Sequence, residues 1–175
     1  MRTKLAAVFA AVGLVAATLA ATTVLTAGAS SAGGGANEII LGNLHLYDPP
    51  QRSYDSRPGS GVLGDGAGPV ANTVRVVAIR VPTTAIAAEV NVTVTNTSGS
   101  GWLRAFGIGA SPSHSNLNWY AEGQSIANQL TVPVTKAGIA QAGCTVSCIF
   151  EFNVETSGSA DVVLDVVGYY NGPPA

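Results

Sequence analysis

Alternation of apolar and polar residues in short segments is the feature that most constrains the fold of this chain. In the segment AAEVNVTVTN, Val90, Val92 and Val94 fall on one face of an extended strand, while Asn91 and Thr93 fall on the other. Successive side chains of a β-strand point to opposite faces, so this pattern predicts a strand with one buried face. Beyond the N-terminal segment, the chain shows this period throughout and little helical pattern.

The same alternation recurs in seven further segments: EIILGNLHL, TVRVVAIRV, GWLRAFGIG, NLNWY, SIANQLTVPV, SCIFEFNV and ADVVLDVVGYY. Between the segments stand TSGSG, GASPS, AEG, KAG and TSGS, whose residues favour hairpins and short loops. PGSGVLGDGAGP is too rich in glycine for a strand, and we expect an ordered connecting loop there. Eight or nine short strands without crossover helices predict an all-β fold, an antiparallel β-sandwich or a jelly roll.

The N-terminal segment 1–32 has the composition of a secretory signal peptide with a signal helix. Arg2 and Lys4 precede an apolar run, and small residues then offer cleavage after Ala29 or Ala32. The apolar run also approaches the length of a membrane span, so a retained anchor is the alternative. Cleavage predicts a secreted or extracellular protein with no membrane contact after the signal is removed.

The remaining chain has the size of one domain. We expect a flexible leader at 33–37, a single β-sandwich domain at 38–171 and a loose tail at 172–175. Loss of Arg2 and Lys4 from the eight basic residues leaves six against ten acidic ones, a formal charge of −4. Nucleic-acid binding requires a basic surface, so this balance excludes that class of partner.

Cys144 and Cys148 are separated by three residues. In an exported protein this even count at close range indicates a disulfide bond, which would stabilise the fold by about 2 kcal/mol. Free thiols and a metal site are the alternatives, and a metal site would need two further ligands. We expect no metal centre and no cofactor. Calcium at Asp65 in LGDGAG is a weaker hypothesis, because a single carboxylate falls far short of a calcium-binding loop.

The stretch QRSYDSRPG gathers Arg52, Asp55 and Arg57 in a chain with 10% charged residues. An aspartate between two arginines accepts forked hydrogen bonds, and the surplus positive charge needs a further partner. Asp165 interrupts the apolar run VVLDVVG, where a lone buried carboxylate would be very costly. We therefore predict an ionic clasp of Arg52 or Arg57 with Asp165 that pins the start of the domain to its last strand, the alternative being a ligand site.

Two histidines, His45 and His114, are available for catalysis. No nucleophile elbow accompanies His114, which lies in a run typical of loops, and His45 falls in an alternating strand. The acidic residues lack a glycosidase motif, and the sequence cannot place two of them across a cleft. We expect no catalytic residues and no enzyme activity. A small secreted hydrolase ranks third among the candidate functions, after a structural or binding module and a glycan-binding module.

Carbohydrate binding would use an exposed aromatic face with polar neighbours. The candidate glycan contacts are Trp102, Tyr120, Asn116, Asn118 and Gln124. Alternation in NLNWY places Trp119 with Leu117 on the inner face, so we predict Trp119 in the core. Trp102 follows SGSG at a strand start and fits either location.

Five segments in the same order, RSYDSRP, VNVTVTN, SNLNW, GQSIANQLTVPV and DVVLDVVGYY, resemble a repeat module of secreted actinobacterial proteins, here in single copy. That module has an Arg-x-x-Asp-Thr-Arg start, an Asn-Val-Thr strand, Ser-Asn-Leu-Asn and Gly-Gln-x-x-Ala-Asn segments and a closing Asp-Val-x-Gly-Tyr strand. The resemblance covers about residues 47–170 and implies an all-β extracellular module, without catalytic residues to carry over. The chain departs from it at Ser56, where the module has threonine, and in the lengthened hairpin QAGCTVSCIFEFN.

These observations together predict a secreted, non-enzymatic β-sandwich module with a structural or binding role at the cell surface. The alternative is a module that binds glycan or cell wall. Candidate partners are cell-wall glycan and a second copy of the chain.

Overall fold

The computed structural model describes residues 37–41, 43–138, 144 and 147–172. Within these ranges, nine strands form one antiparallel sheet. They are β1 (Asn37–Leu41), β2 (Leu44–Asp55), β3 (Val70–Ala71), β4 (Val74–Val81), β5 (Ala85–Phe106), β6 (Leu117–Trp119), β7 (Ile126–Pro133), β8 (Thr135–Lys136) and β9 (Cys148–Asn171). The predicted signal peptide, most of the leader and the end of the tail lie outside the described residues. Within the described ranges, no helix has the length and apolar character needed to cross a membrane.

Two long strands, β5 and β9, organise the sheet and pair with each other along most of their length. The first half of β5 and the second half of β9 are flanked by β7 on one side and by β2 and β1 on the other. The second half of β5 and the first half of β9 are flanked by β6 and β4. We call these the first and the second half-sheet. The short strands β3 and β8 also pair with β9.

The inner faces of the two half-sheets share one hydrophobic core. Alternate residues along β4, β5 and β9 are fully buried, as the period of two predicts. The valine and leucine rows of the first half-sheet and the phenylalanine row of the second belong to the same cluster: Val90, Val92, Val94, Val162, Leu164, Val166, Phe150 and Phe152. Two sheets that bury their facing sides in a common core form a β-sandwich, so the predicted fold is confirmed.

The stretches TSGSG and TSGS do not form the hairpins that the sequence predicted. Each lies inside a long strand, TSGSG in β5 and TSGS in β9, and the two stretches are cross-strand neighbours, with Ser98 opposite Ser159. Register shifts and left-handed glycines, Gly99 at φ 62° and Gly158 at φ 91°, mark the point where both strands change from one half-sheet to the other. The prediction was wrong here because glycine and serine favour a bulge inside a strand as readily as a turn between strands.

Trp119 fills the space beneath this bend and is 1% exposed, which confirms its predicted place in the core. A Cβ added to Gly101 would lie 2.0 Å from the Ser157 carbonyl oxygen and 2.4 Å from the Trp119 ring. Glycine at 101 therefore lets β5 approach both β9 and the indole. Leu117 of the same short strand is also buried, while Asn118 and Tyr120 are exposed, as the alternation in NLNWY predicts.

Strand β2 is longer than predicted and brings charged residues into the sheet. EIILGNLHL divides into β1 and the start of β2, which pair with Leu41 opposite Leu44. β2 then continues to Asp55, so Arg52 and Asp55 lie within the sandwich rather than in a segment that leads into it. The following glycine-rich stretch is an ordered loop, as predicted. There Gly64 adopts a φ of +81°, and a Cβ would lie 2.3 Å from the Tyr54 ring.

Candidate functional site

Arg52 and Asp165 are directly opposite each other on neighbouring strands β2 and β9. Arg52 Nε donates to Asp165 Oδ1 at 2.5 Å, and Arg52 Nη2 donates to Asp165 Oδ2 at 3.3 Å. The pair lies on the outer face of the first half-sheet, because Leu164 and Val166 on either side of Asp165 point into the core. The structure thus places Arg52, one of the two arginines considered, against Asp165.

The deeply buried carboxylate of this region is Asp55, and the expectation that Asp165 is the buried one is corrected. The side chain of Asp55 is 3% exposed, against 22% for Asp165. Arg57 donates to Asp55 through Nε at 2.9 Å and Nη2 at 2.6 Å, and its backbone N–H adds a bond of 3.0 Å. Arg52 Nη1 donates to the same carboxylate at 3.2 Å. The hydrogen bond from Arg57 is the main cause that lowers the pKa of Asp55 below its usual value.

Ser56, Asn96 and Asp161 extend this network, and sequence reasoning missed their role. The Ser56 hydroxyl donates to Asp161 Oδ1 at 2.8 Å and accepts from the backbone N–H of Val162 at 3.0 Å. Asn96 Nδ2 donates to Asp161 Oδ2 at 2.9 Å. Ser56 is fully buried. The threonine of the resembled module also carries a hydroxyl, so the departure at this position keeps the bridging group. We call Arg52, Asp55, Ser56, Arg57, Asp161 and Asp165 the clasp.

Asp65, considered for calcium, is used by its own loop. Its Oδ1 accepts from the backbone N–H groups of Gly59 at 2.7 Å and Ser60 at 3.3 Å, and its Oδ2 accepts from Gly61 at 3.1 Å. The bonds from Gly61 and Gly59 lower the pKa of Asp65. Among the described residues, no group of three or more His, Cys, Asp or Glu side chains is arranged to hold a metal ion.

Cys144 and Cys148 are joined in a disulfide bond, which confirms the pairing predicted from their spacing. Cys148 is fully buried and begins β9, opposite Val81 of β4. The disulfide therefore attaches the chain before β9 to the edge of the core. An intramolecular disulfide is most common in exported proteins.

A depression of about 290 Å³ opens on the outer face of the second half-sheet. Its lining residues are Trp102, Arg104, Ser113, His114 and Ser115. Trp102 and Arg104 are alternate residues of β5 and point outward, while the other three belong to the loop between β5 and β6. Trp102 is half-buried, and the three loop residues are exposed. We call this feature the Trp102 depression.

Arg104 lines the Trp102 depression and makes contacts on several sides. Its Nε and Nη2 lie 2.9 and 2.7 Å from Glu155 Oε2, and Glu155 is directly opposite on β9. The guanidinium carbon lies 5.2 Å from the centroid of the Trp102 ring and 5.7 Å from that of Phe106, within the range of cation–π contacts. Nη1 donates to the carbonyl oxygen of Pro112. These contacts fix the arginine and tie the loop to the strand.

The candidate glycan contacts divide into two groups. Trp102 lines the depression, Asn118 is its cross-strand neighbour on β6, and Tyr120 is 80% exposed. In contrast, the side-chain oxygens of Asn116 and Gln124 accept hydrogen bonds from backbone N–H groups. Asn116 Oδ1 accepts from the N–H of Ala105 at 2.7 Å, and Gln124 Oε1 accepts from those of Tyr120 and Ala121 at 2.6 and 2.9 Å.

The depression also includes residues that sequence reasoning did not connect with Trp102: Arg104, Ser113, His114 and Ser115. The signal that could have found Arg104 is its alternation with Trp102, since residues two apart on a strand share a face. Its pairing with Glu155 depends on strand register, which the sequence does not give.

His45, the other histidine, has a structural environment on β2. Its ring stacks on that of Tyr169 at 4.7 Å, and its Nε2 lies 2.7 Å from Asn171 Nδ2. Both partners belong to β9, so His45 helps to join the first and last parts of the domain.

A comparison with known protein families, curated proteins and solved structures finds no match to this chain. The resemblance to the secreted actinobacterial module therefore stays a prediction from the sequence.

Proposed function

We propose that this chain is a secreted, non-enzymatic β-sandwich module that binds a component of the cell surface or the extracellular space through the Trp102 depression. The observation that carries the proposal is a half-buried indole on the outer face of β5, beside the polar groups of the loop that follows this strand. Binding sites combine an apolar or aromatic surface with a few fixed polar groups, and this depression has both. Export is supported by the signal-like segment 1–32 and by the disulfide.

The pairing of several carboxylates supports a non-catalytic role. Asp55 and Asp165 are held by arginines, and Glu155 by Arg104. Glu89 accepts hydrogen bonds from Gln129 at 2.9 Å and Thr131 at 2.5 Å. A general acid or base must be within reach of substrate and able to exchange a proton, and carboxylates held in this way are poorly placed for it.

The function is tested by co-sedimentation of the protein, expressed without segment 1–32, with purified cell wall. We expect wild type to be retained, and Trp102→Ala to lose most of this retention because the aromatic contact surface is gone. Asp165→Asn is the matched control, since it changes a surface ion pair on the other half-sheet and should leave retention unchanged. Equal retention of wild type and Trp102→Ala would contradict the depression as the site.

The non-enzymatic part is tested in the same samples. The supernatant is assayed for released reducing sugar and for released amino groups over several hours. We expect no time-dependent release above that of wall alone. Release that requires His114 or one of the carboxylates would show a secreted hydrolase instead.

A further inference from the structure

The charge of the Trp102 depression points to the class of its ligand. We propose that the depression takes an uncharged sugar unit of an oligosaccharide, stacked against Trp102, and disfavours anionic saccharides. This inference rests on the proposed binding function and names the ligand for the same site.

Arg104 forms an ion pair with Glu155 that carries no net charge. An arginine that binds a carboxylate or phosphate ligand needs a free fork of N–H donors and an uncompensated charge. Here Glu155 receives both Nε and Nη2, and Nη1 donates to the Pro112 carbonyl. The side chains of Arg104 and Glu155 are 18% and 21% exposed, so solvent screens their pairing little. An anionic ligand would lie close to Glu155 and gain no free positive charge from Arg104.

The depression presents both apolar and polar groups to a ligand. The Trp102 ring supplies a flat apolar surface for the C–H face of a sugar, and Ser113 supplies a hydroxyl group. The Ser115 hydroxyl donates to Asn118 Oδ1 at 3.0 Å and keeps its lone pairs as acceptors. A guanidinium has five N–H donors. Arg104 uses three of them in the contacts described above, so two remain for a ligand. The remaining guanidinium N–H groups, whose charge Glu155 offsets, and hydroxyl groups beside an aromatic ring match the alternating hydroxyls and C–H surfaces of an uncharged sugar.

Hydrogen bonds within the protein preorganise the depression. The loop that carries Ser113, His114 and Ser115 is tied to β5 by Arg104 at Pro112 and by Asn116, whose backbone N–H donates to the Leu103 carbonyl at 2.8 Å. Asn116 Oδ1 also accepts from Ala105. A site held in this way loses little conformational entropy on binding.

The size of the depression sets the length of ligand that it can enclose. A volume of 290 Å³ falls at the low end of small-molecule sites, which suits one sugar ring rather than several. Tyr120 is 80% exposed. It comes two residues after Asn118, which is the cross-strand neighbour of Trp102. At a rise of about 3.3 Å per residue, Tyr120 lies about 7 Å further along, where an adjoining sugar unit would extend.

The test is titration calorimetry of the protein with cellotetraose, chitotetraose, mannotetraose and tetragalacturonate. We expect saturable binding of at least one uncharged tetrasaccharide, with at least tenfold weaker binding of tetragalacturonate. Trp102→Ala should weaken the uncharged ligand at least tenfold, and Tyr120→Ala by a smaller factor. Asp165→Asn should bind like wild type, and its far-ultraviolet spectrum and that of each variant verify folding.

Glu155→Gln supplies the second arm, because it removes the charge that neutralises Arg104. We expect this variant to gain affinity for tetragalacturonate relative to wild type, while Arg104 keeps its aromatic contacts. Stronger wild-type binding of tetragalacturonate than of the uncharged sugars would overturn the inference, as would no binding of the three uncharged tetrasaccharides or unchanged binding in Trp102→Ala. If these sugars fail while wild type still sediments with cell wall and Trp102→Ala does not, the sugar class is wrong and the binding function stands. If wall retention fails as well, both proposals are wrong.

Discussion

Two arginine–carboxylate pairs join β9 to a neighbouring strand, one on each half-sheet, and their surroundings give them different roles. Arg52 lies opposite Asp165, and Arg104 lies opposite Glu155. The arginine of the clasp is the more exposed of the two, at 44% against 18%. Exposure alone would therefore favour Arg52 over Arg104, the arginine of the site that we propose.

The difference lies in what surrounds each pair. In the clasp, Arg52 also reaches Asp55, which Arg57 holds from the other side, so each acceptor is matched to a donor within the protein. Beside Arg104 stand an aromatic ring and an open depression instead of a second carboxylate. A cross-strand arginine–carboxylate pair thus stabilises the fold where further charged side chains bind to it, as at Arg52. Where aromatic side chains and an open depression adjoin the pair, as at Arg104, it shapes a surface.

Removal of the Asp55 charge should break the clasp with the largest effect. We expect Asp55→Asn to lower the melting temperature by roughly 10 °C, because the buried side chain loses its charge-assisted bonds with two arginines and turns an N–H donor toward them, a loss of about 3 kcal/mol. Thermal unfolding followed by circular dichroism measures the change. Binding to the Trp102 depression should be unchanged at a temperature where the variant is folded. A shift under about 2 °C would contradict the structural role.

Acid should reduce the difference in melting temperature between wild type and Asp55→Asn. The pKa of Asp55 is lowered by its bonds with Arg57, so its carboxylate stabilises the fold above its unfolded pKa of about 3.9. This contribution is lost as the pH falls through the lower folded pKa. Melting temperatures of both proteins at pH 6, 4, 3 and 2.5 should therefore differ most at pH 6 and converge below about pH 4. A constant difference over this range would show that shape, not charge, is what the asparagine changes.

Asp165→Asn should have a smaller effect on stability, about 1 kcal/mol or a few degrees of melting temperature, because its pair with Arg52 is partly open to solvent. Glu155→Gln is the matched change on the other half-sheet. We expect it to alter ligand preference, whereas Asp165→Asn should leave binding unchanged. Calorimetric titrations of both variants with the tetrasaccharides, alongside their melting curves, measure this difference. Equal effects of the two variants on binding would remove the distinction between the pairs.

The sequence predicts the layers of this fold well because burial follows a period of two. Val90, Val92 and Val94 are fully buried, and Trp119 lies in the core, each from alternation alone. The bends in β5 and β9 could not be predicted in this way. TSGSG in β5 continues as strand because it pairs with TSGS in β9 and packs against Trp119. These contacts join segments that are distant in the sequence. Local residue preference carries no information about such partners.

The same limit applies to the sites. Asp165 could be connected with the arginines of QRSYDSRPG because a carboxylate inside an apolar strand demands a partner. Arg104 gave no comparable signal, since a charged residue on the outer face of GWLRAFGIG needs no explanation. The role of Arg104 depends on the strand register that places it opposite Glu155 and on the loop whose Pro112 carbonyl accepts its hydrogen bond.

The shift in melting temperature caused by sugar tests the division of roles most directly. Wild type, Asp55→Asn and Trp102→Ala are each melted with and without the tightest-binding uncharged tetrasaccharide, at about a hundred times its wild-type dissociation constant. A ligand that binds the folded state at this excess stabilises it by about 2.7 kcal/mol. We predict a rise of several degrees for wild type and Asp55→Asn and little or none for Trp102→Ala. A rise that persists in Trp102→Ala and disappears in Asp55→Asn would contradict the account and make the clasp the binding site.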